Sequence, residues 1–186
     1  MTKKILLPTV ALFVICLVCT VLLALANDVT APIIDELAAK TEIESRLEVL
    51  STAKSFKDGK SGNISYVTGL NDKNEVEGYV FVTQAKSYGG QLKVMTGVDR
   101  DGKVTGVKLL EINDTVGLGM NAKKDSFRNQ YIGLFDKITV QKNGADKEKN
   151  EIQALTGATI SSNAVTDAVN SALADYNTVT GNGGAK

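Results

Sequence analysis

The sequence predicts an α+β domain, with an antiparallel or mixed sheet flanked by helices, behind a single N-terminal transmembrane helix. Three observations lead to this prediction. An uncharged apolar stretch comes first, and four runs with an apolar residue at about every second position follow between 64 and 111. The chain then closes with a helix that has one apolar face. We expect this last helix to pack on the sheet.

The N-terminal stretch 5–26 is almost wholly apolar. As a helix rising roughly 1.5 Å per residue, it would reach about 30 Å, the thickness of a bilayer core. Ala24–Ala26 has the form of a signal-peptide cleavage site, but the apolar run exceeds the roughly 7–15 residues of a signal core. We therefore predict an uncleaved single-pass anchor over 1–27 in the cell (inner) membrane. Lys3 and Lys4 place the N-terminus in the cytoplasm and the domain outside it.

Composition argues against several classes of protein. Basic and acidic residues are equal at 21 each and tryptophan is absent, whereas a nucleic-acid-binding protein needs a basic face with stacking aromatic residues. The two cysteines, Cys16 and Cys19, lie inside the anchor, so the exported domain has no thiol chemistry. Without histidine as well, a zinc or transition-metal site is not expected, and we predict no metal site.

A juxtamembrane helix is predicted over 28–55, followed by a loop, "SFKDGKSGN". The helix has an apolar stripe that we expect to pack on the domain: Ile33, Ile34, Leu37, Ala38, Ile43, Leu47 and Leu50.

The domain itself is predicted over 56–180. Four strands lie between 64 and 111, with a hairpin turn at Asp101-Gly102. An irregular stretch, a short helix and the strand "KITVQ" come next. A helix from about Ile160 to Tyr176 presents Ile160 on its apolar face, and 181–186 is predicted to be a disordered tail.

The stretch "ALTGATISSNAV", residues 154–165, places several hydroxyl groups at the start of that last helix. The first turn of a helix has unpaired N–H groups and the positive end of the helix dipole, so it favours a phosphate. Gly157 would form the turn, while Thr159, Ser161 and Ser162 would add hydroxyl donors. From the residues alone, simple capping of the helix by Thr159 or a neighbouring residue remains the alternative.

"TGAT" at 156–159 is similar to the [S/T]-G-A-T signature of the FMN-binding domain family. That family includes the G subunit of the Rnf electron-transport complex and the C subunit of the sodium-translocating NADH:quinone reductase. The resemblance implies that Thr159 is esterified to the FMN phosphate by a separate flavin transferase. Gln153 stands where the family usually has an aspartate.

Two further stretches resemble the same family. "NDTVGLG", residues 113–119, is similar to its E-T-P-G-L-G loop, with Asp114 for the acid and Val116 for the proline, and "SYGG", 87–90, is similar to its glycine turn. Tyr88 either stacks on a ring or fills the core, and the core is favoured. The residues expected to bind FMN are Thr159, Thr156, Gly157, Ala158, Ser161, Ser162, Thr115, Gly117, Leu118, Gly119, Tyr88 and Gly89.

The resemblance implies an electron-transfer subunit of a membrane complex that couples ferredoxin and NAD⁺ oxidoreduction to ion translocation. Its partners would be other subunits of that complex, the flavin transferase, and the membrane through 5–26. We predict no catalytic residue of its own. Three alternatives remain open: the C subunit of the quinone reductase, a free-standing exported flavoprotein, and an anchored binding module without redox function.

Overall fold

The computed structural model describes residues 2–181, with side chains described for all of these except 2–5, 7–8 and 32–39. In this part of the chain the helices are α1 (Thr2–Val49), α2 (Asp125–Arg128) and α3 (Thr159–Thr180). The strands are β1 (Ser55–Ser61), β2 (Ile64–Leu70), β3 (Val76–Ser87), β4 (Gly90–Asp99), β5 (Val104–Glu111), β6 (Thr139–Gln141) and β7 (Glu151–Gln153). The chain divides into two compact units, with the boundary between Ile43 and Glu44.

Strands β1 to β5 form one sheet in which each strand pairs antiparallel with the next in sequence. The antiparallel sheet and its hairpins are therefore as predicted. At the turn between β4 and β5, the Asp99 N–H donates to the Lys103 carbonyl at 2.9 Å. Gly102 there has a φ of +82°, a conformation that glycine adopts without steric cost.

The expectation that "SFKDGKSGN" forms a loop is wrong, because most of it is the edge strand β1. This strand pairs with β2 along its full length, from Ser55 opposite Leu70 to Ser61 opposite Ile64. Its exposed side chains are polar, so it lacks the apolar alternation that marks a half-buried strand. Lysines on such an edge also discourage pairing with another chain.

One face of the sheet is covered by α3 and by the segments that contain α2, β6 and β7. The helix extends four residues beyond its predicted end, to Thr180, and Gly181 ends it in the left-handed conformation. Its buried side chains include Val165, Val169 and Leu173, which pack against Phe81 and Val94 of the sheet. The rest of the predicted disordered tail, 182–186, lies outside the described residues.

The short strands β6 and β7 pair parallel to each other and lead into α3. Residues 151–153 form β7 opposite Thr139 to Gln141. The Gln153 side chain donates to the Lys142 carbonyl, and the backbone N–H of Gln153 donates to the Gln130 side-chain oxygen at 2.7 Å. Gln153 thus holds the segment that precedes the "TGAT" stretch.

The opposite face of the sheet is covered by the last turn of α1 and the residues that follow it. Val49, Leu50 and Ala53 are buried there against Val80 and Met95. The helix end lies directly on a cross-strand glycine pair, Gly97 of β4 and Gly106 of β5. A polar rim completes this contact.

That rim includes two charge pairs of Glu48 and one hydrogen bond. The Glu48 carboxylate accepts from Lys108 and from Arg128, both at 2.7 Å. The Thr105 hydroxyl donates to the Val49 carbonyl at 2.5 Å. The last helical turn of α1 is therefore part of the domain.

Helix α1 is continuous from Thr2 to Val49, and it ends six residues before the predicted limit of the juxtamembrane helix at 55. Ile43 and Leu47 of the expected stripe are exposed, whereas Val49, the last residue of the helix, is buried. Ile33, Ile34, Leu37 and Ala38 lie outside the described side chains. The segment Thr9–Ala31 of this helix is long and apolar enough to cross a membrane.

Gly97→Ala is expected to lower the free energy of unfolding by about 3 kcal/mol, the upper range for an overpacked core. The added Cβ would lie 2.2 Å from the Val49 carbonyl oxygen, so the helix end would have to move off the sheet. Urea unfolding of the full chain in detergent measures this change. Gly59→Ala is the matched control, because its Cβ meets the tip of the Tyr66 ring, which can rotate. Equal losses in both variants would contradict the prediction.

Candidate functional site

Helix α3 begins at Thr159 without a capping side chain. The residue before it, Ala158, occupies the N-cap position and has no side chain that accepts from the first turn. Thr159 therefore does not cap the helix, and the capping alternative for this cluster is wrong. Gly157 has a φ of +73° and forms the turn into the helix, as expected. The N–H groups of the first turn are left without an intrahelical partner.

An open cavity of about 470 Å³ lies at this end of α3. Its volume falls within the range of roughly 300–1,000 Å³ that is usual for small-molecule sites. Three segments supply its walls: the β3–β4 turn, the loop after β5, and the start of α3. The lining residues are Tyr88, Thr115, Leu118, Gly119, Gly157, Ala158, Thr159, Ile160 and Ser161.

Two threonine hydroxyls in the cavity wall are available to a ligand. Within the described chain, neither Thr159 nor Thr115 makes a side-chain hydrogen bond, and both line the cavity. Thr156, also expected to bind the cofactor, is exposed and is not among the lining residues. Thr159 is therefore the hydroxyl of the "TGAT" stretch that faces the cavity.

The two serines of the cluster do not have the predicted role of hydroxyl donors to a phosphate. Ser162 is fully buried, and its Oγ accepts from the Leu155 N–H at 2.9 Å and donates to the Ala158 carbonyl at 3.0 Å. The Ser161 hydroxyl donates to the Asp114 carboxylate. Ser162 therefore points away from the cavity, whereas Ser161 lines the cavity with its hydroxyl directed to Asp114.

Asp114 connects all three walls of the cavity, although it does not line the cavity itself. Its carboxylate accepts from the Ser87 hydroxyl at 2.5 Å and from the Gly89 N–H at 2.6 Å, in addition to Ser161. The residue is only 6% exposed. Burial on its own would raise the pKa of Asp114, but the hydrogen bonds from Ser161, Ser87 and Gly89 outweigh it and hold the pKa below its ordinary value.

Apart from Gly157, three of the four glycines expected to bind the cofactor differ in their placement. Gly119 lines the cavity and packs tightly, since a Cβ there would lie 2.4 Å from the Ser161 Oγ and 2.6 Å from Asp114. Gly89 does not line the cavity, and a Cβ there would lie 2.1 Å from the Asn113 carbonyl oxygen. Gly117, with a φ of +81°, forms the loop turn, and its carbonyl accepts from Asn121 at 2.6 Å. Gly89 and Gly117 therefore shape the walls.

Exposed apolar side chains surround the mouth of the cavity. Tyr88 is 72% exposed, so the expectation that it fills the core is wrong; it lies in the tight turn between β3 and β4, where the chain leaves the sheet. Ile160, expected on the buried face of α3, is 59% exposed and lines the cavity. Leu118 completes the apolar part of the wall.

No charged side chain is among the residues that line this cavity. The adjacent carboxylate, Asp114, already accepts hydrogen bonds from three donors. Gln153 is directed to the β6–β7 pair and does not line the cavity. The site therefore combines an open helix N-terminus, two free hydroxyls and apolar walls, which is suited to a ligand with an anionic end and a flat apolar part.

Sequence patterns do not assign a role to Asp114 or to Ile160. Asp114 matches the acid of a loop motif. Its partners Gly89 and Ser87 lie 25 and 27 positions earlier, and Ser161 lies on α3, so no local spacing in the sequence connects them. Ile160 matches the apolar periodicity of α3, yet it is exposed at the cavity, while Ser161 and Ser162 of the same turn are buried.

The acid stability of the domain should depend on Asp114. Because the pKa of Asp114 is lowered in the folded state, its ionised form stabilises the fold above the ordinary value of 3.8, and this contribution is lost as the pH falls through the lower folded pKa. The difference in Tm between wild type and Asp114→Asn should therefore be largest near neutral pH and shrink in acid. Thermal unfolding as a function of pH measures it, and a difference that is independent of pH would contradict the assignment.

Comparison with known proteins identifies relatives over the whole site. Residues 87–174, which include every residue of the cavity wall, match the family model of the FMN-binding domain. The chain is 35% identical to the G subunit of the Na⁺-translocating ferredoxin:NAD⁺ oxidoreductase complex of Acetobacterium woodii, over 89% of this chain and 88% of that protein. It is 32% identical to the G subunit of the proton-translocating ferredoxin:NAD⁺ oxidoreductase complex of Clostridium ljungdahlii, over 91% and 90%. The crystal structure of Shewanella oneidensis NqrC has a similar fold, with a TM-score of 0.57 and 16% identity over 70% of this chain and 73% of that chain.

Proposed function

Because this chain belongs to the family of FMN-binding-domain proteins that contains the G subunits of ion-translocating ferredoxin:NAD⁺ oxidoreductases, we propose that it carries electrons in such a complex. Its cofactor is FMN, held by a phosphoester to the Thr159 hydroxyl. Its partners are the other subunits of the complex. The chain itself contributes a relay step between them.

The observation that carries the proposal is the position of Thr159. Its hydroxyl has no partner within the described chain and lines the cavity at the first residue of α3. A phosphate esterified there would face the unpaired N–H groups of the first turn and the positive end of a 22-residue helix. The anionic end of FMN is thereby stabilised without a charged side chain.

The rest of the cavity suits the flavin ring. Leu118, Ile160 and Tyr88 provide apolar surface, and Thr115 provides a free hydroxyl for a polar atom of the ring. FMN accepts two electrons and can release them one at a time, which is the chemistry of a relay. The open mouth leaves the cofactor accessible to a partner protein.

Attachment of the flavin requires a separate flavin transferase. Ester formation joins the Thr159 oxygen to the phosphorus of the flavin nucleotide, breaks the bond between that phosphorus and its leaving group, and transfers the threonine proton to a base. The cavity wall offers no amine, imidazole or carboxylate for that purpose. The transferase therefore supplies the base.

The membrane segment determines the side of the membrane on which the flavin-binding domain lies. The helix Thr9–Ala31 spans the cell membrane once, and the preceding lysines keep its N-terminus in the cytoplasm. The domain from Glu44 onward then lies outside the cytoplasm, where a covalent bond prevents loss of the flavin.

The proposed function is tested with the membrane-bound protein. The chain is produced with the flavin transferase and the remaining subunits of the complex, and the membranes are solubilised and purified through a tag on this chain. We expect the other subunits to co-purify and the flavin absorbance of this subunit to bleach when reduced ferredoxin is added. Thr159→Ala is the matched control, in which assembly persists but the bleaching assigned to this subunit is lost.

Other outcomes would reject the proposal in identifiable ways. A fluorescent chain that purifies alone and is not reduced by the complex would be a free-standing flavoprotein. A chain without flavin under these conditions would be an anchored binding module.

A further inference from the structure

We propose that Asp114 is the positioning residue of the cavity, holding its three walls in the arrangement that orients the flavin ring. This inference rests on the proposed function for the identity of the ligand. The positioning itself depends on contacts that exist without any ligand.

The first step is that Asp114 contacts each wall separately. From the loop after β5, its carboxylate reaches the β3–β4 turn through the Ser87 hydroxyl at 2.5 Å and the Gly89 N–H at 2.6 Å. At the start of α3 the Ser161 hydroxyl lies beside this carboxylate, since a Cβ at Gly119 would lie 2.4 Å from the Ser161 Oγ and 2.6 Å from the Asp114 oxygen. Each of these partners adjoins a residue that faces the cavity: Ser87 and Gly89 flank Tyr88, and Ser161 follows Ile160.

The second step is that Asp114 provides the hydrogen bonds between the loop after β5 and the β3–β4 turn. The loop residues 113–118 lie outside the sheet, and Val116 is 85% exposed. In the described chain, the hydrogen bonds that join the Asn113–Gly119 segment to the β3–β4 turn both end on Asp114. Removing the carboxylate would therefore remove both of these hydrogen bonds between the loop and the turn.

The third step is that the packing leaves little space for a change at this position. Gly119 approaches Asp114 so closely that a Cβ would lie 2.6 Å from the carboxylate oxygen. A backbone contact of the same kind joins Gly89 to Asn113, where a Cβ would lie 2.1 Å from the carbonyl oxygen. The carboxylate thus lies behind Gly119 and Ser161 and sets the distance between the loop and α3.

The ionised form is the one that fits this environment. All three neighbours are donors, and a carboxylate accepts from all of them. In Asp114→Asn the amide nitrogen would have to face one of these donors, because an amide offers one acceptor oxygen in place of two. The shape of the side chain is kept while one tie is lost.

The test measures local exchange and flavin geometry in the full chain. Amide hydrogen exchange is followed by NMR in detergent for wild type, Asp114→Asn, Ser87→Ala and the control Asp72→Asn. Asp72 is exposed in the β2–β3 turn, at the opposite end of β3 from the cavity. In Asp114→Asn we expect Gly89 to exchange on the order of ten-fold faster or more, as for the loss of a hydrogen bond to a charged acceptor. Core amides such as that of Val94 should keep their relative protection. Ser87→Ala should show a smaller increase, and Asp72→Asn none.

The flavin-loaded proteins give an independent measurement. Visible circular dichroism reports how firmly the flavin ring is held in an asymmetric site. We expect Asp114→Asn to retain flavin on Thr159 but to lose at least about half of this signal, while Asp72→Asn retains all of it. A purely stabilising residue would lower Tm and leave the signal of the folded protein unchanged.

The possible results separate this inference from the proposed function. Unchanged exchange at Gly89, or equal acceleration of Gly89 and Val94, would overturn the positioning role. If Asp114→Asn does not fold, Ser87→Ala decides by the same criteria. If wild type carries no flavin, the proposed function fails, and the exchange measurements still decide whether Asp114 positions the cavity walls.

Discussion

Thr159→Ala is expected to abolish covalent attachment of flavin while leaving the fold intact. The side chain is half-exposed, lines the cavity and makes no hydrogen bond within the described chain, so its removal costs little stability. Alanine has no hydroxyl oxygen with which to form the phosphoester. After co-expression with the flavin transferase, the fluorescence of the chain on a denaturing gel should therefore fall to background.

Two control variants make this result specific. Thr156→Ala removes the other threonine of the "TGAT" stretch, which is exposed outside the cavity wall, and it should retain flavin. Thr159→Ser keeps a hydroxyl at the helix start and should retain part of the label. Loss of the label in Thr156→Ala with retention in Thr159→Ala would show that the attachment site is the earlier threonine.

Shortening the chain to begin at Phe56 is expected to prevent cooperative folding, whereas a chain beginning at Glu44 should fold. The chain that begins at Glu44 keeps Val49, Leu50 and Ala53, which cover the face of the sheet opposite α3. Burial of a Val or Leu side chain contributes about 1.5–3 kcal/mol to the free energy of unfolding. Loss of these residues therefore removes a large part of the roughly 5–15 kcal/mol that is typical of a domain. Thermal unfolding followed by circular dichroism distinguishes the two chains.

A second pair of chains controls for the effect of shortening the chain as such. A chain beginning at Ile43 should unfold at the same temperature as one beginning at Glu44, because Ile43 is exposed. If the chain from Phe56 unfolded with the same midpoint and cooperativity as the chain from Glu44, the last turn of α1 would not be part of the domain.

The parts of the site that could be predicted from sequence are those with local causes. Gly157 and the start of α3 follow from turn chemistry and helix periodicity within a few residues, and the structure has the helix beginning at Thr159. Thr115 and Leu118 are expected from a motif resemblance, and they line the cavity together with Thr159. The antiparallel sheet likewise follows from alternation and turn residues.

The remaining features depend on contacts that a sequence pattern does not encode. Ser161 has the sequence position of a free donor at a helix start, but Asp114, distant in the sequence, accepts its hydroxyl. Strand β1 has a polar sequence, and its pairing with β2 through the backbone leaves no signal in the side chains. Ile43 and Leu47 match the helical period, yet both are exposed, whereas Val49 is buried in the cluster with Val80 and Met95.

The central claim, that this chain carries flavin on Thr159, is tested most directly by locating the flavin in the wild-type protein. Cleavage after lysine releases the peptide 150–186, which contains both threonines of the "TGAT" stretch. We predict that tandem mass spectrometry of this peptide, after co-expression with the flavin transferase, will place one FMN phosphoester on Thr159. An unmodified peptide, or a flavin on Thr156, would contradict the claim.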